Sequence, residues 1–496
     1  LTTTRDQRIA IGVSLLCGVV ILYAARHDPV LSPDSISYLS TAAHLRSGNG
    51  FTEFTGQALT VFGPVFPMLL AVGGRSLMWA RIVGACAVAG ATLMMYALLT
   101  RRVRSVVAII AAAAFGLSQG FVRVGSTVWS ETPFICVTLI VLVVLTVEPL
   151  TQRRAAIGGL LCGLGFLTRY AGVGLIITGA VLVVAASRTA GWRQRARNLT
   201  IHLAAAVGVC AIWIVRNLVE TGQALGPRFS GGSTDSLEIL LQRTTQSLGE
   251  LIFGDRASAS FDRHGGIVVL IMLTFAAVVV LVRQPARVLD IAMAVFALTS
   301  VIIPILARRV TASDIDFRVL SPLLIPIVYY AAVAFDLLRP RAVSVIVAAC
   351  LVSWWTFEGV AMADRVPEIV AIGAGSRTQF SRELFDLIDT LPRDAHVLTN
   401  SPQRVWWQSH REPTLFAFTR PRAGNSNYPL SPAETLRYAC MSHTYLAWFG
   451  SLANAGDGPQ DRRPDLAAII NLTVVNSVAG GEMYLLSAHD PTQCPH

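Results

Sequence analysis

Along the first three quarters of the chain the apolar residues run together in blocks of about 17 to 22, each long enough to cross a hydrocarbon core of ~30 Å. These blocks cover approximately 8–25, 79–100, 103–120, 130–147, 155–168, 170–187, 199–215, 266–283, 288–307, 319–337 and 342–357. The pattern therefore predicts a polytopic α-helical membrane protein with about eleven transmembrane helices. The first block has no small-residue cleavage site before "RHDPVLSPD" and is read as a signal anchor. Beyond residue 357 the pattern changes to that of a soluble domain. "SRELFDLIDTLP" has helical spacing, "AHVLTN" and "HTYLAWF" read as buried strands, "SPQRVWWQS" and "SPAETLRYAC" as turns entering helices, and "AIINLTVVNSVAGGEMYLLS" as a hairpin. The chain divides into a transmembrane domain, 1–357, and a small extracytoplasmic α/β domain, 358–496.

Composition supports this division: 53% of the residues are hydrophobic and 14% charged, against roughly 25% charged in soluble domains. The net charge of +10 comes from arginine alone, since the chain has no lysine; this usage suits a high-G+C bacterial genome. The clusters "RRVR" (101–104), "QRR" (152–154), "SRTAGWRQRAR" (187–197), "RQPAR" (283–287) and "RPR" (339–341) all fall on one side if the N-terminus is cytoplasmic. The basic excess is thus a topology signal, and no basic-aromatic platform suggests nucleic acid. The expected location is the bacterial cytoplasmic (inner) membrane, with loops 26–78, 121–129, 216–265 and 308–318 and the C-terminal domain outside. Six of the eight cysteines lie in apolar blocks; Cys440 and Cys494 lie in the outer domain, where an oxidising compartment permits a disulfide.

Charged and aromatic residues collect at the outer ends of the blocks. Pro33 suits a helix start, after which Asp34, Tyr38, Ala42 and Leu45 share one face. Glu131 opens the fourth block; Arg169 and Tyr170 stand between the fifth and sixth; Arg216 ends the seventh; Asp316 and Arg318 precede the tenth. Taken singly, Asp34 and Glu131 could be first-turn carboxylates that cap a helix, and the arginines could snorkel. Together they describe a polar cavity at one membrane depth that handles an anion.

The series "PDSISYLSTAAHLRSGNGF", "GPVFPMLLA", "SETPF", "LTRYAG", "RNLVETGQALGPR", "DFRVLSPLL" and "HVLTNSPQRVWWQSHREP" resembles the GT-C superfamily of polyprenyl-phosphate-sugar-dependent glycosyltransferases. It is most similar to the bacterial branch related to protein O-mannosyltransferases and aminoarabinose transferases. The resemblance implies that Asp34 is a catalytic aspartate and that Glu131 supports the site or, with Asp34, a divalent metal. It also implies that Arg169, Arg216 and Arg318 hold the lipid phosphate, with Tyr38, Tyr170, Arg228 and Asp316 as further substrate contacts. No cofactor is required; Mg²⁺ or Mn²⁺ is the metal option. The expected partners are membrane lipid, a polyprenyl-phosphate-linked sugar donor, and a glycan, lipid or protein acceptor. Where aminoarabinose transferases carry a lysine before the prolines this chain reads "TVFGPVFP", so their particular donor and acceptor are not implied.

The chemistry agrees with the residue types. A sugar on polyprenyl phosphate is already activated, so the site must deprotonate a hydroxyl and stabilise a departing phosphate. One carboxylate and two or three arginines suffice, and single displacement inverts the anomeric centre. The readings from other classes are a lipid-linked-sugar flippase and a non-catalytic envelope-assembly protein. A flippase calls for charges at mid-span and paired broken helices, and neither pattern is clear.

Overall fold

The computed structural model describes residues 4–147, 149–187, 191–227, 235–254, 259–283, 287–311, 314–337, 341–372, 382–415, 432–450, 463–478, 481–490, 492 and 494. The membrane part begins with α1 (Thr4–Ala24), α2 (Pro33–Arg46), α3 (Val65–Ala71), α4 (Leu77–Leu99), α5 (Ser105–Gly116), α6 (Gln119–Gly125), α7 (Glu131–Leu145) and α8 (Gln152–Thr168). It continues with α9 (Val173–Ala186), α10 (Trp192–Thr221), α11 (Leu237–Phe253), α12 (Ala259–Arg283), α13 (Val288–Thr311), α14 (Phe317–Leu320), α15 (Leu324–Leu337) and α16 (Arg341–Ile372). Every expected apolar block falls on a helix. By length and composition six helices among the described residues can cross a membrane, or up to seven if a bent pair counts as one span.

That pair is α5 and α6, which turn by 54° where one straight span was expected. Ser118, in an extended conformation, ends the first helical run and opens the second. The expected boundary at 357/358 falls inside α16, because Met362, Ala363 and Val366 continue its buried face into the main core. Leu16, Ile212, Val219, Phe275 and Val282 stand exposed on the helices; on a soluble protein such surface would aggregate, whereas here it suits lipid.

Close helix contacts rely on small residues. Gly159 and Gly163 of α8 lie one turn apart against α10, where an added Cβ on Gly159 would meet the His202 carbonyl at 2.2 Å. This is the small-xxx-small packing of membrane helices.

At the end of the bundle that carries the expected cytoplasmic clusters, polar groups replace apolar packing. Arg102 and Asp290 form an ion pair at 3.0 Å, with 1% and 0% of their side chains exposed. Tyr329 Oη donates to Asp290 Oδ1 at 2.6 Å and Tyr330 Oη to the Asp290 carbonyl at 2.7 Å. Nearby Arg104 pairs with Asp336 and Arg287 donates to the Arg101 carbonyl. Removing one member of a buried pair strands the other charge, at a cost of about 3–5 kcal/mol. Asp290→Ala is therefore expected to lower the melting temperature in detergent sharply, whereas Arg102→Met with Asp290→Leu should recover much of the loss. Equal melting of Asp290→Ala and wild type would show the pair to be idle.

The C-terminal part contains α17 (Arg382–Thr390), β1 (His396–Thr399), α18 (Pro402–Ser409), β2 (Thr414–Leu415), α19 (Pro432–Ala439), β3 (Thr444–Phe449), α20 (Arg463–Ala467), β4 (Ile470–Val478) and β5 (Gly481–Ala488). Its sheet runs β2-β1-β3-β5-β4. β1 is parallel to β2 and β3, and His396 aligns with Thr444; β5 is antiparallel to β3 and β4. The apolar runs of β1 and β3 are buried on both faces, as parallel strands require. Leu384, Phe385 and Ile388 of α17 and Val405 of α18 cover Val397, Ala447 and Phe449 on one face. Ala439 of α19 and Leu466 of α20 cover Leu398, Leu446 and Trp448 on the other. Cys440 and Cys494 form a disulfide with Cα atoms 5.5 Å apart.

This domain rests through α18 on the segment between α1 and α4. Trp406 packs with Ile36 and Phe54, and the Arg75 guanidinium lies over its ring at 4.3 Å.

Candidate active site

The α2 helix is capped by Ser32, not by Asp34. Ser35 N donates to Ser32 Oγ at 3.2 Å and Ser32 N to Ser35 Oγ at 3.0 Å, with Pro33 in the first turn. This reciprocal box satisfies the helix start, so the Asp34 carboxylate has no capping duty. Ser32 Oγ also accepts from Trp129 Nε1 at 2.7 Å. A parallel bridge joins Val30 to Thr127, through Val30 N to the Ser126 carbonyl at 3.0 Å and Val128 N to the Val30 carbonyl at 3.2 Å. Two distant segments are thereby held side by side, and Asp34 and Glu131 open neighbouring helices.

Arg318 connects them. Asp316 caps α14, with Val319 N donating to its Oδ1 at 3.0 Å, and Arg318 Nε donates to its Oδ2 at 2.9 Å. Arg318 Nη1 donates to Asp34 Oδ2, and its Nε lies 3.9 Å from Glu131 Oε1. The guanidinium stands over the Trp129 ring at 5.2 Å. Glu131 is 1% exposed and pairs with Arg169, which follows α8 in an extended conformation. Tyr38 Oη lies 3.2 Å from Ser130 Oγ, and its ring meets Phe62 and Phe66 edge-on. Burial pushes the Tyr38 phenol up, and the negative charges of Asp34 and Glu131 add to the effect; it acts here as a neutral hydrogen-bonding group.

Asp34, Tyr38, Glu131, Arg169, Asp316 and Arg318 thus form one cluster. Asp34 and Arg318 remain about a quarter exposed, at 23% and 25%. Arg216 and Tyr170 bond to the backbone of the loop that follows α2. Arg216 Nη1 donates to the Leu59 carbonyl at 2.7 Å and its Nη2 to the Phe51 carbonyl at 3.2 Å, above the Trp213 ring. Tyr170 Oη donates to the Thr60 carbonyl at 2.7 Å and accepts from Trp213 and Asn217. The contacts of these two residues fasten the loop. Arg228 lies outside the described residues.

Ser32, Trp129 and Ser130 were not anticipated. The Ser32/Ser35 spacing carries the signal of a capping box; Trp129, next to "SETPF", carries none.

Each carboxylate faces a guanidinium, and among the described residues no group of three or more His, Cys, Asp or Glu side chains is placed to hold a metal ion. A divalent ion on Asp34 and Glu131 would have to displace their arginines. The donor set does not fit Mg²⁺ or Mn²⁺, and no step below runs through one. Beside the cluster a narrow, mostly apolar cleft is lined by Phe134, Ala171, Gly174, Phe296, Val319 and Pro322. Phe134, Ala171 and Val319 follow Glu131, Arg169 and Arg318 closely along the chain.

The helical bundle with its small C-terminal α/β domain has counterparts among solved membrane proteins. No family model and no curated protein sequence matches the chain. Among solved structures, ArnT from Cupriavidus metallidurans bound to undecaprenyl phosphate covers 100% of both chains, with TM-score 0.61 and 13% identity. The oligosaccharyltransferase AglB from Archaeoglobus fulgidus, in complex with an inhibitory peptide and a dolichol-phosphate, covers 98% of this chain and 75% of its own, with TM-score 0.54 and 11% identity. The arabinofuranosyltransferase AftD from Mycobacteria covers 99% of this chain and 40% of its own, with TM-score 0.56 and 16% identity. At these identities the likeness is one of fold.

Proposed function

We propose that the protein is an inverting glycosyltransferase that moves a sugar from a polyprenyl-phosphate donor to a hydroxyl acceptor on the outer face of a bacterial cytoplasmic membrane. The observation that carries this reading is the accessible Asp34–Arg318 pair beside Glu131 and Arg169, at the edge of an apolar cleft. The structural neighbours that hold undecaprenyl phosphate or a dolichol-phosphate add support from the fold. In this reading Asp34 is the general base for the acceptor hydroxyl. Arg318 and Arg169 bind the phosphate oxygens, which a planar guanidinium can grip two at a time. Glu131 holds Arg169 from behind and is too enclosed to attack the sugar, which favours one displacement over a covalent intermediate. Phe62 and Phe66 pack edge-on against Tyr38 beside the cluster. The reaction requires no cofactor, so chelators are expected to leave turnover unchanged.

The test is incubation of the purified protein with a panel of polyprenyl-phosphate sugars and acceptors, following release of free polyprenyl phosphate. Binding of the lipid without release in any combination would favour the flippase or the non-catalytic assembly protein.

The proposed face of the membrane has its own check. Reporter fusions after Arg341 and after Asp364 are expected to report cytoplasm and exterior respectively. Asp364 accepts a hydrogen bond from Tyr23 at 2.8 Å and lies 3.9 Å from Arg26, so it shares the membrane side on which α1 ends. The same side for both fusions would end this topology.

A further inference from the structure

Arg318 is held by two carboxylates of different kinds. Asp316 is local: it caps the helix that carries Arg318 and bonds its Nε at 2.9 Å. Asp34 belongs to another element, α2, and binds Nη1, so nothing in the local chain ties it to Arg318. With all groups ionised, the cluster of Asp34, Glu131 and Asp316 with Arg169 and Arg318 has one more carboxylate than guanidiniums. An incoming phosphate therefore meets a surplus of negative charge unless an arginine is released to it.

Resting on the glycosyl-transfer reading above, we infer that Arg318 couples the two halves of the reaction. Its Nη1 passes from Asp34 to the donor's phosphate as Asp34 takes the acceptor's proton, while Asp316 is the positioning residue that holds the guanidinium during the exchange. The acceptor oxygen forms a bond to the anomeric carbon and its proton goes to Asp34. The bond from that carbon to the phosphate oxygen breaks, and the polyprenyl phosphate leaves with the electron pair and one more negative charge. Protonated Asp34 attracts Arg318 less, and the departing phosphate attracts it more. Proton transfer and departure of the leaving group thus reinforce each other through one side chain. Glu131 is poorly placed for either role, being almost fully buried, engaged by Arg169 and 3.9 Å from Nε.

The experiment measures binding of sugar-free polyprenyl phosphate to the purified full chain and to Asp34→Asn and Asp316→Asn. Both variants remove one negative charge beside Arg318, and asparagine at 316 still caps the helix. A coupler requires opposite signs: Asp34→Asn should bind about tenfold tighter, and Asp316→Asn about tenfold weaker with lower turnover at saturating donor, a tenfold change being 1.4 kcal/mol. Tightening in both variants would mean that net charge alone decides, and would overturn the inference. So would unchanged or weaker binding in Asp34→Asn. If Asp316→Asn does not fold, Glu131→Gln serves as the control of equal charge, and the inference requires it to tighten binding less than Asp34→Asn does. Wild-type protein that does not retain polyprenyl phosphate at all would instead overturn the glycosyl-transfer reading, a separate failure.

Discussion

Asp34→Asn is expected to lower turnover roughly 10²–10⁴-fold, the usual worth of a positioned general base. The amide keeps the size of the carboxylate but cannot take the acceptor's proton. The α2 helix should be unaffected, because Ser32 and Ser35 satisfy its start and Asp34 does not. The variant should therefore melt like the wild type while releasing almost no polyprenyl phosphate. Wild-type turnover in Asp34→Asn would remove Asp34 from the chemistry and leave it a first-turn carboxylate that complements the helix dipole.

Arg318→Ala has the second large effect, and it falls on binding as well as on rate. A charge-assisted contact to a phosphate contributes about 1.5–3 kcal/mol, so affinity for the lipid phosphate should fall about 10- to 100-fold. Turnover should fall further, by roughly 10²–10³, as when one preorganised donor to a developing anion is removed. Arg318→Lys restores the charge but not the fork that spans Asp34 and Asp316, and should recover little of the rate. Because the alanine variant leaves Asp34 and Asp316 without their shared cation, monodispersity on gel filtration must be checked alongside activity. Lipid-phosphate affinity in Arg318→Ala equal to wild type would take the phosphate away from this residue.

Periodicity reveals what burial dictates. The continuous apolar runs of the helices, and of β1 and β3, could be read directly, since a strand covered on both faces has no polar alternation. The start of α2 was legible to within a residue because Pro33 fixes the first turn; the capping residue itself, Ser32, was one place earlier. The hidden features depend on backbone carbonyls. Arg216 looks in sequence like Arg318, a cation at the outer end of a span, yet it donates to the carbonyls of Phe51 and Leu59. Any residue type supplies a carbonyl, so nothing in the sequence marks that destination. For the same reason the Val30–Thr127 bridge was invisible, although it is what places Asp34 next to Glu131. The bend between α5 and α6 was missed because "FGLSQG" is apolar enough to read through, and only the extended backbone at Ser118 breaks it.

The segment between α1 and α4 is fastened on both sides of Asp34. Its backbone is tied on the near side of Asp34 by the Val30 bridge and on the far side through Phe51, Leu59 and Thr60 to Arg216, Tyr170 and Asn217. The conformational entropy of the segment is therefore lost during folding rather than on each encounter with an acceptor. A loosely hinged loop would charge that ordering to every turnover and weaken acceptor affinity accordingly. Under the proposed reaction the acceptor would meet a carboxylate whose place is already set, leaving the free energy of binding available for orienting its hydroxyl toward the sugar.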